Sequence, residues 1–289
     1  MQSQKQFKRR FSFEFFPPKT DQGKEKLQNV RNQLAEVNPD FFSVTFGAGG
    51  STRDRTIETV LNLHSQGIST APHLSCVGGT RQEIGELLDL YKEHGINRIV
   101  ALRGDMPSGM GAAGELRYAN ELVEFIREHS GDTFNLEVAA YPEFHPQARN
   151  AEEDLKNFAR KVQAGANSAI TQYFFNADSY FYFIDRLEKM GVTIPVVPGI
   201  MPIVNFSNLV RFSDMCGAEI PRWIRKQLEA YGDDSESIRK FGEEVVTGMC
   251  EKLLEAGAPG LHFYTLNQVE PSISIWKNLG ISEREKIAF

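Results

Sequence analysis

The chain has 289 residues, 41% hydrophobic and 24% charged, with a formal net charge of −6; that is a globular composition, and its acidity argues against nucleic acid as the main partner. Three scattered cysteines (Cys76, Cys216, Cys250) without a CxxC point to neither a disulfide framework nor a zinc site. The basic start MQSQKQFKRR precedes no long apolar stretch, and no run approaches ~18 apolar residues, so a cytoplasmic protein without a membrane span is expected.

Eight apolar, turn-bounded runs read as strands. In chain order they are FSFEFF (11–16), FFSVTF (41–46), APHLSCV (71–77), RIVALRG (98–104), FNLEVAAY (134–141), SAITQYFF (168–175), TIPVVPGI (193–200) and LHFYTL (261–266). Most are continuously apolar, as in a parallel sheet covered on both faces. Helical patterns lie between them. Ile84, Leu87, Leu88 and Tyr91 form one stripe, and Tyr180, Phe183, Ile184 and Leu187 another. Thr80 with Glu83, and Asn150 with Glu153, have capping-box spacing. Gly67, Gly95, Gly131, Gly165, Gly191 and Gly257 each fall shortly before a strand, where a left-handed residue closes a helix. The interval from Gly191 to Gly257 is of double length and is expected to hold extra helices, one of them at 221–232. The alternation predicts a single (β/α)8 TIM barrel domain over residues 1–289, with a doubly wound open sheet as the alternative.

In a barrel of this kind chemistry sits at the C-terminal ends of the strands. The polar residues there are Glu14, Thr45, His73, Ser75, Arg103, Asp105, Tyr141, Gln172 and Tyr264. Glu14 stands among phenylalanines, and a carboxyl deprived of water keeps its proton and can serve as a general acid; pairing with an arginine is the other reading. Asp105 is a second carboxylate expected at the same mouth. GMGAAG (109–114) matches GxGxxG but lacks a tight strand-to-helix turn, so a loop is the better reading. GAGGST (47–52) offers backbone that a planar ligand could approach closely. Asp154, Asn157, Arg160 and Lys161 form a polar helix face, either solvated or a clamp for a ribose and a pyrophosphate. No HExxH or paired His–carboxylate spacing supports a metal.

Taken together, SFEFFPPK, SVTFGAGGSTRDRT, PHLSC, ALRGDMP, AAYPEFHP, GANSAITQYFF, PGIMPI and HFYTLN resemble the methylenetetrahydrofolate reductases, collinearly from about residue 10 to 270. The resemblance implies an FAD-containing barrel in which hydride passes from NADH or NADPH through the flavin to methylenetetrahydrofolate, the two substrates using one site in turn. It implies Glu14 as general acid, with Asp105 near flavin and folate. Gln172, Phe212, Thr45 and Gln268 would meet the substrates. The implied flavin contacts are Thr45, Phe46, Ala48, His73, Arg103, Gly104, Asp105, Tyr118, Ala119, Tyr141, His145, Ala148, Asp154, Asn157, Arg160 and Lys161. Gln268 stands where the family often has an arginine that helps hold folate. The segment 106–117 is slightly longer than in bacterial members. The chain is expected to end at the barrel, without the adenosylmethionine-sensing extension of eukaryotic relatives. Assembly into a homo-oligomer is left open.

Two other readings compete with this one. A flavin-free barrel lyase or aldolase would carry a Schiff-base lysine or metal ligands, and no lysine lies in the eight runs. A catalytically silent binding barrel would lack the two carboxylates.

Overall fold

The computed structural model describes residues 1–46, 50–104 and 114–281. Its strands are β1 (Arg10–Phe15), β2 (Phe41–Val44), β3 (Thr70–Ser75), β4 (Arg98–Leu102), β5 (Asn135–Ala140), β6 (Ser168–Thr171), β7 (Val196–Val197), β8 (Gly199–Ile200) and β9 (Gly260–Tyr264). They form one sheet in the order β7-β6-β5-β4-β3-β2-β1-β9-β8. The pairs β1–β2, β2–β3, β3–β4, β4–β5 and β8–β9 are parallel.

β7 and β8 are the two halves of the seventh predicted run, parted at Pro198. Proline has no N–H to give a ladder, although its carbonyl still accepts the His262 N–H at 2.9 Å. One half neighbours β6 and the other β9, so both ends of the strand order meet in a single run. This is the connectivity of a (β/α)8 barrel; an open doubly wound sheet has two free edges. The other seven predicted runs each hold one strand, within a few residues. The largest difference is at β6, which stops at Thr171.

The alternating helices are α1 (Gln2–Lys5), α2 (Asp21–Ala35), α3 (Gly50–His64), α4 (Arg81–Glu93), α5 (Ala119–Ser130), α6 (Ala151–Gln163) and α7 (Ala177–Lys189), followed by α8 (Phe206–Cys216), α9 (Arg222–Tyr231), α10 (Ser235–Glu255) and α11 (Ser272–Asn278). The long interval holds α8 to α10, as its length predicts. The short α1 and α11 were not foreseen. Thr80 Oγ1 accepts the Glu83 N–H at 3.2 Å and the Glu83 carboxylate accepts the Thr80 N–H at 2.8 Å, which completes the box before α4. Asn150 caps α6 through the Glu153 N–H, at 2.9 Å. The six glycines before strands all have φ between +57° and +114°, where a side chain would clash with the backbone.

The chain groups into two compact units. One comprises Met1–Phe11, Ala140–Phe158 and Ile170–Phe289, the other Ser12–Ala139 and Ala159–Ala169. In the first, the Trp276 ring of α11 lies 5.1 Å from Phe11 and 6.4 Å from Phe263. Gln4 of α1 is buried, donating to the Ile194 carbonyl and accepting the Val196 N–H at 2.8 Å. Among the described residues no helix is long and apolar enough to cross a membrane.

The second unit shows how alternation sorts side chains. Phe13 and Phe15 contact Phe42, with centroids 6.4 and 5.1 Å apart. Their strand neighbours Ser12 and Glu14 point to the opposite face. On that face a buried polar group forms at β4 and β5. Arg98 pairs with Glu137 and lies 4.6 Å over the Phe41 ring, while Ser168 and Asn135 also donate to the Glu137 carboxylate. Breaking a buried pair from one side leaves a charge without compensation. Arg98→Met is therefore expected to destabilise the protein by ~3–5 kcal/mol. Adding Glu137→Met should recover part of that loss. Urea unfolding of the single and double variants measures both.

Candidate active site

Glu14 lies near the C-terminal end of β1, beside Ser43 in the β1–β2 register. Ser43 Oγ is 3.5 Å from Glu14 Oε2, a long contact, and His73 Nε2 is 3.2 Å from the same oxygen. Both side chains are about nine-tenths buried. The His73 N–H is not directed at that oxygen, so the contact is electrostatic, and Nε2 has no hydrogen bond among the described residues. A buried polar atom in this condition costs free energy until a partner arrives. The expected phenylalanine surroundings need correction. Phe13 and Phe15 face away because side chains alternate, so Glu14 loses water through burial against β2 and β3.

The neighbouring strand ends are held firmly. The Thr45 N–H donates to the Phe15 carbonyl at 2.9 Å, and Thr56 Oγ1 donates to the Thr45 carbonyl at 3.1 Å. Phe46 follows directly. The Arg103 carbonyl accepts Ser75 Oγ at 2.8 Å and the Val77 N–H at 3.1 Å. Gly104 has φ +85°, and a Cβ there would stand 1.9 Å from Ser75 Oγ, so only glycine fits. Tyr118 is the N-cap residue of α5 and is 57% exposed; Ala119 begins that helix. Lys161 Nζ donates to the Ala139 carbonyl at the end of β5, and Arg160 precedes it on α6. Asp105, Ala48, residues 47–49 of GAGGST and residues 109–113 of GMGAAG lie outside the described residues.

In the other unit, the loop after β5 carries a compact group. The Tyr141 and His145 rings are 4.5 Å apart. The His145 N–H donates to Asp154 Oδ2 at 2.9 Å, while the Ala148 N–H donates to the His145 carbonyl at 2.9 Å. The Gln147 N–H donates to His145 Nδ1 at 3.0 Å. Nδ1 is thereby an acceptor, and the neutral ring carries its proton on Nε2. Asn157 sits one turn beyond Asp154 on α6. Phe144 between these contacts has φ +93°, a strained value for a bulky residue that the flanking bonds enforce.

Gln172 follows β6. Its Oε1 accepts the Tyr173 N–H at 3.0 Å. A backbone N–H can only donate, so this contact identifies the oxygen and leaves the Gln172 NH2 to donate outward. Phe212 on α8 is half-buried, with the Arg211 guanidinium 5.1 Å from its ring. Gln268 follows two residues of positive φ, Leu266 (+53°) and Asn267 (+55°), and its N–H closes the turn onto the Thr265 carbonyl at 3.0 Å.

The structure thus brings Glu14 to His73, and Tyr141 to His145 and Asp154. Among the described residues Gln172, Phe212 and Gln268 share no hydrogen bond or ring contact with one another. Sequence reading missed Ser43, although it is, with Thr45, one of two polar residues within the apolar run 41–46. It also missed the buried hydroxyls of Tyr173 and Ser213, which carry no local signal. A cleft of about 540 Å³ between α2 and α3, lined by Lys24, Gln28, Glu58 and Asn62, holds none of the expected residues.

Residues 1–280 match the family described as methylenetetrahydrofolate reductase. The chain is 41% identical over 271 residues to the 5,10-methylenetetrahydrofolate reductase of Escherichia coli (strain K12), covering 93% of this chain and 90% of that protein. It is 42% identical to the enzyme of Salmonella typhimurium with the same coverage. Methylenetetrahydrofolate reductase (NADH) 1 of Zea mays is 38% identical over 292 residues, which span 96% of this chain and 49% of that protein. Among solved structures, a protein from Clostridium thermocellum described as binding two copies of 5-methyl-5,6,7,8-tetrahydrofolic acid superposes with a TM-score of 0.66 at 17% identity, covering 97% and 96% of the two chains; at that identity the likeness concerns fold alone. With an aligned relative above 40% identity and a family match over nearly its whole length, the chain belongs to the methylenetetrahydrofolate reductase family.

Proposed function

We propose that the protein reduces 5,10-methylenetetrahydrofolate to 5-methyltetrahydrofolate with NADH or NADPH, using bound FAD. The observation that carries this reading is the buried Glu14 carboxyl beside His73, at the end of an otherwise apolar strand. The residues suit a flavin nucleotide. His73 Nε2 is a buried polar atom without a hydrogen bond among the described residues, and His145 keeps Nε2–H as a donor. Thr45, Phe46, Arg103 and Gly104 offer strand-end backbone already held in place. Tyr118 and Ala119 offer a helix start, and Tyr141, Ala148, Asp154, Asn157, Arg160 and Lys161 the loop after β5 with its helix. Ala48 and Asp105 join this set by resemblance. When bound, FAD supplies two-electron redox chemistry that no side chain provides.

The chain's own groups then divide the work. Burial deprives the Glu14 carboxyl of water, which favours its proton-bearing form. It gives that proton to the folate nitrogen whose departure opens the five-membered ring to an iminium. Asp105 is the anion that steadies the iminium cation. Gln172, with its oxygen held by the Tyr173 N–H, donates from its NH2 to an acceptor on folate or nicotinamide. Phe212 stacks on either substrate. Gln268 faces the anionic glutamate tail of folate with a neutral amide.

Glu14→Gln should leave reduction of the flavin by NADH within about twofold and lower folate reduction by ~10²–10⁴-fold, the usual worth of a general acid. Stopped-flow measurement of the two half-reactions separates these steps. Equal loss in both would make Glu14 a structural residue. A purified protein that is colourless and takes up no FAD would overturn the whole reading.

Gln268→Arg should lower the folate KM, because charge-assisted hydrogen bonds are about twice as strong as neutral ones. The gain should shrink as salt screens the pair. Steady-state kinetics at low and high ionic strength would show it, and a KM unchanged at both would remove Gln268 from the folate tail.

A further inference from the structure

We propose that the buried hydrogen bond between Tyr173 and Ser213 is the positioning element for α8, setting Phe212 against the substrate that Gln172 binds. The inference rests on the substrate roles given above to Gln172 and Phe212. Its basis is the anchoring of one helix. α8 has eleven residues, and only Leu209 and Ser213 are buried. An amphipathic helix ordinarily buries a stripe of three or four residues every two turns, and that burial fixes its place. Leu209 is the fully buried apolar residue, with Phe206, Val210 and Cys216 half-buried along the same stripe, and Ser213 adds a directional polar contact at its centre.

That contact joins Tyr173 Oη to Ser213 Oγ over 3.1 Å, with both residues about 3% exposed. Tyr173 directly follows Gln172 in the chain, and Ser213 directly follows Phe212. One hydroxyl pair therefore couples the backbone beneath each substrate contact. The tyrosine end is rigid. Its N–H is engaged by Gln172 Oε1, and its ring packs edge-on against Phe175 and Tyr264 with centroids 5.7 and 6.4 Å away. Tyr264 is itself tied to the Thr171 carbonyl at 2.7 Å.

The two ends of α8 are fixed by other means. Asn205 caps its start, accepting the Asn208 N–H at 2.8 Å. Past its end, Gly217 has φ +75° and leaves no room for a Cβ, which would stand 2.7 Å from Pro146 Cγ. Glu143 accepts the Glu219 N–H at 2.8 Å. These contacts hold the helix ends, while rotation of the helix about its own axis would break the hydroxyl contact of Ser213 and shift Cys216, which also interacts with Tyr173. Rotation is the motion that would swing the adjacent Phe212 ring.

The test is a double-mutant cycle on the FAD-loaded protein, with 5-methyltetrahydrofolate as the calorimetric probe. Ser213→Ala should raise its Kd roughly 3- to 10-fold, the range of one hydrogen bond, and Tyr173→Phe should do the same. Ser213→Thr, which keeps the hydroxyl, should restore binding. In a Phe212→Leu background Ser213→Ala should change Kd by less than about twofold, because the residue acts through Phe212. Thermal unfolding of each variant separates loss of the fold from loss of position. If Phe212→Leu weakens binding while Ser213→Ala does not, or if Ser213→Ala weakens it equally with and without Phe212, the positioning role is overturned and the substrate reading stands. If Phe212→Leu leaves Kd unchanged, both fall.

Discussion

Alternation of side chains along a parallel strand is the constraint on which the other features depend. Each strand must send one residue of every two toward the helices and the next toward the opposite face. In β1 the phenylalanines 11, 13 and 15 take one face and are fully buried there. Ser12 and Glu14 are left with the other face. The carboxyl is there because side chains alternate along the strand, which ends at Phe15, one residue beyond Glu14. The same rule sets Ser43 beside Glu14 in the register and carries His73 to within 3.2 Å of it.

That inner face is unusually polar for a packed interior, and it is held by matching partners. Arg98 and Glu137 lie in one such layer with Ser168 and Asn135 as further donors. Every buried charge there has a counter-charge or a hydrogen bond, which is the condition for tolerating it. Glu14 and His73 differ. Their contact is close but poorly aligned, and the His73 nitrogen is left without a hydrogen bond among the described residues.

A second contrast separates two ways of holding a part in place. The loop after β5 is fixed by bonds on both sides of a strained Phe144, and Gly217 and Pro146 interlock beyond α8. α8 itself buries Leu209 and half-buries Phe206, Val210, Phe212 and Cys216. Its ends are held by the Asn205 cap and by Gly217, and its middle by the Tyr173–Ser213 hydroxyl contact.

The sequence by itself determined the eight runs, the six glycines that end helices, the caps at Thr80 and Asn150, and the extra helices between Gly191 and Gly257. These are local matters of backbone conformation, capping and periodicity, and each is written in neighbouring residues. Long collinear segments likewise carried the family. Tertiary structure alone decided the rest. Pro198 divides the seventh run between two different neighbours, which a linear reading cannot see because the partners are distant in the chain. The direction Phe13 and Phe15 face relative to Glu14 depends on which side of the sheet the helices cover. The Arg98–Glu137 pair and the choice of amide atom that Gln172 presents arise from strand register and from a backbone N–H aimed at one oxygen. The Tyr173–Ser213 bond joins residues 40 apart. No local pattern encodes such a contact, because it exists only once the chain has folded and buried both hydroxyls together.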